Sequence, residues 1–260
     1  MELICVDKEN CRRDGICIAA CPIGCIEADA DGFPVPVNEE NCINCGHCVA
    51  ICPHGALSHS RLDTAAFTPV PRERAGFHEL EGLMKARRSV REYKDAPISH
   101  ETLAGLLNVA RIAPTAKNTQ QLSYIMVEDP AKSRALAAMV VDWMRPNPIL
   151  ARYVGMWDAG RDCILRGAPH ALIALGDAQN DWGDIDASIA LTYVELAAAA
   201  QGLGACWGGL LHRAVLHSPE IAAFVGVPEG RKVCGAMMLG QPKLRYALVP
   251  PRNEVTVSWV

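Results

Sequence analysis

Residues 42–57 read CINCGHCVAICPHGAL, and residues 11–26 read CRRDGICIAACPIGCI. A shift of 31 lays Cys11 on Cys42, Gly15 on Gly46, Cys17 on Cys48, Cys21 on Cys52, Pro22 on Pro53 and Gly24 on Gly55. The second copy is Cys42-x2-Cys45-x2-Cys48-x3-Cys52-Pro53, the run that holds a [4Fe–4S] cluster; where two clusters share a chain, the fourth cysteine ligates the other one. Three thiolates this close reach the iron only if the backbone curls around it. Gly46 frees the backbone for that loop and Pro53 turns the chain away. A zinc site needs only four ligands and leaves the two Pro-terminated copies unexplained.

The first copy departs from the pattern. Symmetry with Cys45 demands cysteine at position 14, which is Asp14. Crossed ligation gives one cluster Cys42, Cys45, Cys48 and Cys21, and gives the other Cys11, Cys17 and Cys52, with Asp14 or nothing fourth. A carboxylate is a harder ligand than these irons prefer. The second centre is therefore either [4Fe–4S] with an Asp ligand or [3Fe–4S] without it, unless Asp14 is simply a solvated turn residue before Gly15. Cys5 and Cys25 lie outside the repeat, and Ala56 occupies the position matching Cys25, so both read as small buried residues rather than ligands.

Outward from the repeat the composition changes. Nine of the 12 cysteines fall at or before Cys52, leaving only Cys163, Cys206 and Cys234 beyond. The first 60 residues carry 9 acids and 3 bases; the remaining 200 carry 20 and 22. An acidic, thiol-rich head thus precedes a nearly neutral body. Neither part is basic enough for nucleic acid to be the main partner. No run of about 18 uninterrupted apolar residues suggests a membrane span. Met1 to Asn10 does not read as an export signal, which argues against a disulfide scaffold and for the reducing cytoplasm. The boundaries read as a cluster domain over 1–60, a connector with Pro69 and Pro71 over 61–76, and a body over 77–260.

The body reads as α+β. Helical spacing runs from His78 to Arg88. Ser99 caps a second helix bearing Leu103, Leu106, Leu107 and Ala110, stopped by Pro114. Strand candidates are 123–128, 171–175 and 232–239, the last broken by Gly235. Ile185 to Ala200 is apolar nearly all round and predicts a helix buried on every side. No Gly-x-Gly-x-x-Gly follows a first strand, so no dinucleotide-binding unit is visible.

Three polar runs carry chemistry. Arg87-Arg88-Ser89-x-Arg91 gathers three guanidinium groups and a hydroxyl, a forked site for a phosphate ester. Ala113 to Gln120 reads APTAKNTQ, small and amide residues that can lie along a ring. Gly204 to Gly209 reads GACWGG, where glycines expose backbone N–H groups to a closely approaching ligand. Arg252, after Pro250-Pro251, adds a fourth cation.

Together these runs, with RRSVREY at 87–93, the stretch from Trp157 to His170, and PPR at 250–252, resemble the nitroreductase family of FMN flavoproteins with a two-cluster bacterial-type ferredoxin domain in front. The resemblance covers essentially the whole chain. It implies a central mixed or antiparallel sheet with flanking helices, preceded by a small iron–sulfur domain, in an FMN-bound homodimer with flavin sites at the interface. It also implies site residues. Arg87, Arg88, Ser89 and Arg91 hold phosphate and ribityl, with Arg91 near the flavin N1/O2 edge. Thr115, Ala116 and Asn118 come from the partner subunit. Gly208 and Gly209 offer N–H toward N5, Arg252 closes on the phosphate, and the helix over 185–200 is the dimer seam. A cation beside N1/O2 favours the reduced flavin, which carries negative charge there. No side chain need act as a general acid, so no catalytic residue is assigned.

Two departures stand out. Leu248 sits where related sequences often carry a basic residue, with Lys243 and Arg245 nearby. Residues 141–160 contain Tyr153 but no Glu and no Lys. The clamp that related dehalogenating enzymes use on a zwitterionic tyrosine is therefore missing. Trp143, Met144, Tyr153, Met156 and Trp157 in this stretch suit a flat aromatic or quinone-like acceptor.

The expected function is an FMN-dependent oxidoreductase. Electrons pass between two iron–sulfur clusters and FMN to reduce a small flat acceptor such as a nitroaromatic or quinone, with ferredoxin or NAD(P)H as donor. The rival is an electron-transfer or redox-sensing relay serving a protein partner. A third reading is an enzyme of flavin or corrinoid-cofactor metabolism.

Overall fold

The computed structural model describes residues 2–260, which divide into two units. The first runs to Arg74 and also takes in Thr115–Thr119; the second holds the remainder. The connector expected over 61–76 thus sits with the first unit as far as Arg74.

The first unit shows the repeat as structure. Strand β1 (Ile4–Val6) leads to helix α1 (Ile16–Ala19) and the hairpin of β2 (Ile26–Ala28) and β3 (Pro34–Pro36). The second half gives helix α2 (His47–Ala50) and strand β4 (Leu57–His59), which pairs antiparallel with β1, Ile4 opposite His59. The glycines before the two helices have matching left-handed backbones: Gly15 at φ 70° and Gly46 at φ 72°. These are angles that glycine adopts without penalty. Leu3, Ile4, Ile26 and Leu57 form a small core with Cys17, Cys25 and Cys48.

The second unit is built on one antiparallel sheet. Helices α3 (Phe77–Ala86) and α4 (His100–Ala110) come first, then strand β5 (Ser123–Val127). Helices α5 (Pro130–Met144) and α6 (Ala151–Asp158) precede strand β6 (His170–Asp177). Helix α7 (Gly183–Ala200), strand β7 (Gly204–Trp207), helices α8 (Gly209–His217) and α9 (Pro219–Val225) and strand β8 (Arg231–Gly240) complete it. The strand order is β5-β6-β8-β7, every pairing antiparallel. Ser99 caps α4 as expected, its Oγ accepting the Thr102 N–H at 3.2 Å. Pro130 starts α5, where a missing N–H costs nothing, and the Asp129 carboxylate accepts the Ala131 N–H.

The two faces of the sheet bury different helices. One core combines α5 and α8 with Ile173, Leu175 and Ala236; the other combines α4 and α7 with Leu172, Ala174 and Met237. Inward residues of β6 alternate between the cores, as the period of a strand requires. Leu191 of α7 is fully buried, and truncation to Ala there would cost about 2–5 kcal/mol.

Several expectations change. Strand β8 is not broken at Gly235. The register with β6 shifts between Ala174 and Leu175, leaving Cys234 as the extra bulge residue, and the strand continues. The glycine serves packing, since a Cβ there would lie 2.7 Å from Leu191. Helix α7 is not buried all round either: Ile185 is 52% exposed and Tyr193 37%, with Ser188 and Thr192 exposed on the same face. The stretch 204–207, which is not among the strand candidates, is an edge strand. Met144 is fully buried in the core, while Trp143, Tyr153, Met156 and Trp157 pack against that core. Those four stay half-buried, so packing against the core accounts for only part of their surface.

Candidate functional site

Two thiol-lined spaces lie in the first unit. One, of about 390 Å³ counting its open mouth, is lined by Cys21, Cys42, Cys45 and Cys48, together with Cys25 and His59. The other, of about 300 Å³ and also counting its open mouth, is lined by Cys11, Cys17, Cys52 and Asp14, together with His54. The chain thus groups the fourth cysteine of each copy with the first three positions of the other. Among the described residues no three His, Cys, Asp or Glu side chains converge as a single metal ion requires. Thiols spread around a cavity instead suit a cluster whose irons are each reached by one sulfur, and the soft donor set fits iron–sulfur chemistry.

The electrostatics follow this grouping. Burial pushes the Cys48 thiol up to about 11, and Cys45, Cys42 and Cys21 add to the rise. Burial also raises Cys17, opposed by backbone N–H groups and reinforced by Cys52 and Asp14. At Cys21 burial is outweighed by the N–H groups of Cys25, Ile23 and Gly24, and the thiol lies below its ordinary value. Four thiols that repel as thiolates are the arrangement that a cationic iron centre neutralises.

Asp14 makes a turn contact and faces His54. Its Oδ1 accepts the Ile16 N–H at 3.2 Å, a turn contact, while Oδ2 lies 3.9 Å from His54 Nε2. The same carboxylate lines the second cavity. Cys25 is 1% exposed and lines the first cavity; Cys5 is exposed and lines neither.

The motif reading missed His59. It is 4% exposed, with its Nε2 3.5 Å from Cys42 Sγ and its Nδ1 accepting the Arg61 N–H at 3.2 Å. Burial, and secondarily Arg61, lowers its pKa. The histidine lies outside the cysteine run, and only the pairing of β4 with β1 brings it back.

In the second unit, residues 87–93 occupy the free edge of β7. Ser89 bridges in parallel to Ala205, and the Val90 N–H donates to the Ala205 carbonyl at 3.0 Å. The approach is close: a Cβ on Gly204 would lie 2.8 Å from the Val90 side chain. Tyr93 Oη donates to the Val90 carbonyl at 2.7 Å, and the Lys94 N–H to the Gln241 carbonyl at 2.8 Å. The basic segment is thus pinned at both ends. Arg87 and Arg88 are half-buried and Arg91 is exposed. Arg87 Nη1 pairs with Glu195 of α7 at 2.8 Å, and Arg88 Nε donates to the Arg87 carbonyl at 2.6 Å. A pinned row of guanidinium groups with unused donors fits a phosphate ester.

Two expected contacts change. The Gly208 N–H donates to the Ala236 carbonyl at 2.8 Å, so it is not offered to a ligand; Gly209, first residue of α8, is left for that role. Arg252 lies exposed on the extended segment after β8.

Thr115, Ala116 and Asn118 sit in the first unit. Asn118 Nδ2 donates to the Asn44 carbonyl at 3.0 Å and to the Ile43 carbonyl at 3.4 Å. Lys117 and Asn118 take left-handed backbones, φ 52° and 53°. Asn44 Oδ1 and Thr119 Oγ1 are buried without a hydrogen-bonding partner.

The comparisons agree with this geometry. The Nitroreductase family matches residues 84–241, and the 4Fe-4S dicluster domain matches residues 3–53. A Thermus thermophilus protein named NADH dehydrogenase is 28% identical over 176 residues, 60% of this chain and 83% of its own. A Rhodospirillum rubrum 5,6-dimethylbenzimidazole synthase is 28% identical over 188 residues, 65% of this chain and 84% of its own. The crystal structure of a nitroreductase with bound FMN from Bacteroides fragilis superimposes with a TM-score of 0.60 at 25% identity. That match covers 69% of this chain and 99% of that one.

Proposed function

The chain belongs to the nitroreductase family and is an FMN-dependent oxidoreductase; from that premise we propose that electrons pass between two iron–sulfur clusters in its first unit and FMN to reduce a small flat acceptor, a nitroaromatic or a quinone. The observation that carries this reading is the place of residues 115–119. The segment that the family resemblance assigns to flavin belongs to the iron–sulfur unit, tied through Asn118 to the carbonyls of the Cys42–Cys45 loop.

Bound FMN supplies two-electron exchange with an acceptor and one-electron exchange with iron–sulfur centres. The chain supplies the rest. Arg88, Ser89 and the free arms of Arg87 hold the phosphate and ribityl, with Arg252 closing on them. Arg91 stabilises negative charge at the N1/O2 edge, and the Gly209 N–H serves N5. Thr115, Ala116 and Asn118 reach the flavin of a second subunit. Cys21, Cys42, Cys45 and Cys48 hold one cluster. Cys11, Cys17 and Cys52, with Asp14 or solvent, hold the other. Solvent provides the proton, so no side chain acts as general acid.

The homodimer is supported by α7, where Ile185 and Tyr193 are exposed on a face shared with Ser188 and Thr192. Ferredoxin or NAD(P)H is the donor; the name of the Thermus relative supports a nicotinamide. Low-potential clusters fit the cytoplasm, and no helix among the described residues is long and apolar enough to cross a membrane. Anaerobic steady-state assays test the reading, with reduced ferredoxin or NAD(P)H as donor and nitroaromatic or quinone compounds as acceptors. Turnover that stops when the FMN is stripped and returns on its addition supports it. A flavin that reoxidises only with a protein partner overturns it.

A further inference from the structure

The two cluster cavities share a backbone pattern and differ in several side chains: Cys45 matches Asp14, Cys25 matches Ala56 and His59 matches Ala28. The Cys25 N–H donates to Cys21 Sγ at 3.2 Å, and its repeat partner, the Ala56 N–H, donates to Cys52 Sγ at 3.4 Å. Each cavity thus has one such N–H···S bond on its crossed cysteine. The same shift of 31 lays Ala28, the last residue of β2, on His59, the last residue of β4. The first copy therefore has a methyl group where the second has an imidazole.

The tautomer of His59 follows from its partners. Nδ1 accepts the Arg61 N–H at 3.2 Å, so the ring proton sits on Nε2. Nε2 faces Cys42 Sγ at 3.5 Å, and the ring is 4% exposed. Ile4 lies opposite His59 across the β1–β4 pair, which fixes the ring's position.

We infer that His59 is a positioning residue that donates Nε2–H to the Cys42 sulfur and makes the cluster of Cys21, Cys42, Cys45 and Cys48 the higher-potential member of the pair. An N–H donor withdraws density from the thiolate and stabilises the reduced cluster, which carries one more negative charge; donors to the sulfurs are among the determinants of cluster potential. The other cavity has no counterpart of His59, since the matching position is Ala28, and its wall carries Asp14 and His54. The difference sets a downhill step for one electron toward the cluster whose loop holds Asn118. This inference rests on the iron–sulfur reading proposed above.

The test is a redox titration of intact holoprotein followed by electron paramagnetic resonance, comparing wild type with His59→Leu and His59→Gln. Two distinct reduced-cluster signals in wild type establish the clusters themselves; their absence sinks the iron–sulfur reading and this inference with it. With clusters present, His59→Leu should shift the reduction equilibrium of one cluster about tenfold toward oxidised, a lowering of about 59 mV for a one-electron couple. The other cluster should not move. His59→Gln, which keeps an N–H donor, should recover most of the shift. Unchanged potentials, or equal shifts of both clusters, overturn the inference while leaving the clusters standing. If His59→Leu does not load iron, nitrogen coupling decides. In protein labelled with 15N-histidine and carrying His47→Gln, to remove the other histidine lining the cavity, the reduced cluster should show 15N coupling. No coupling overturns the inference.

Discussion

Arg87 of the basic segment and Glu195 of α7 form an ion pair, Nη1 to Oε1 at 2.8 Å, with side chains 20% and 11% exposed. The pair locks the first guanidinium of the segment while leaving its other donors free. Stability and ligand binding should therefore separate. Arg87→Ala strands a nearly buried carboxylate and should cost about 3 kcal/mol in urea unfolding. Arg87→Met with Glu195→Leu should recover most of that. FMN affinity should fall by roughly 10- to 100-fold in both variants, the value of a charge-assisted hydrogen bond. Normal FMN binding by the double variant would remove Arg87 from the site.

Asp14 makes the two clusters unequal in a second way. Mild oxidation should convert only the centre of Cys11, Cys17 and Cys52 to [3Fe–4S], giving a new paramagnetic signal that ferrous iron and reductant reverse. Asp14→Cys should abolish the conversion. Iron counting that stays at eight per chain through oxidation of wild type would contradict this. Cys25 lines the other cavity and so does not supply the missing thiolate here.

The fold of this chain was legible where periodicity or spacing had one physical meaning. The 31-residue repeat predicted both cavities' partners because thiolates at that spacing have few other uses. The Ser99 cap and the α4 face could be read from hydrogen-bonding and helical period alone. The α7 pattern misled, because Ile185 and Tyr193 are as apolar as the core residues of the helix yet lie on an exposed face with Ser188 and Thr192. The run 204–209 misled differently: the Gly208 N–H is taken by the Ala236 carbonyl, a strand contact that the sequence does not show. Trp143 and its neighbours show the same ambiguity, since aromatic residues that fit an acceptor also fill a core. His59 was invisible, because its role depends on a strand pairing that crosses the whole first unit.

The bare face of α7 gives a prediction about assembly. Holoprotein should sediment as two chains per particle. Ile185→Glu with Tyr193→Glu should give monomers that fold, by circular dichroism, yet lose stoichiometric FMN. Monomers that retain it would show that one chain completes the flavin site.

His170 gives the pH dependence. It is fully buried, its Nε2 accepts the Ile98 N–H at 2.8 Å, and burial lowers its pKa below the ordinary 6.5. The folded chain refuses a proton that the unfolded chain accepts. The contribution is thus fully present above about pH 6.5 and lost as the pH falls through that value toward the lowered one. Urea midpoints of the apoprotein at pH 7.5 and 5.5 should differ accordingly. His170→Leu should flatten this step, at about 1–3 kcal/mol for the unpaired Ile98 N–H. An unchanged step would assign the acid sensitivity to other groups.

The central claim is that the thiol-bound clusters and the flavin form one electron path. Anaerobic stopped-flow mixing with reduced ferredoxin or NAD(P)H, with cluster and flavin bands followed separately, tests it most directly, in wild type and in Cys45→Ser. The account predicts that both bands change in one kinetic sequence at stoichiometric FMN. It also predicts that Cys45→Ser slows the band second in that sequence at least tenfold. Flavin that is reduced and reoxidised at the wild-type rate in Cys45→Ser, while the cluster bands never change in wild type, would contradict it.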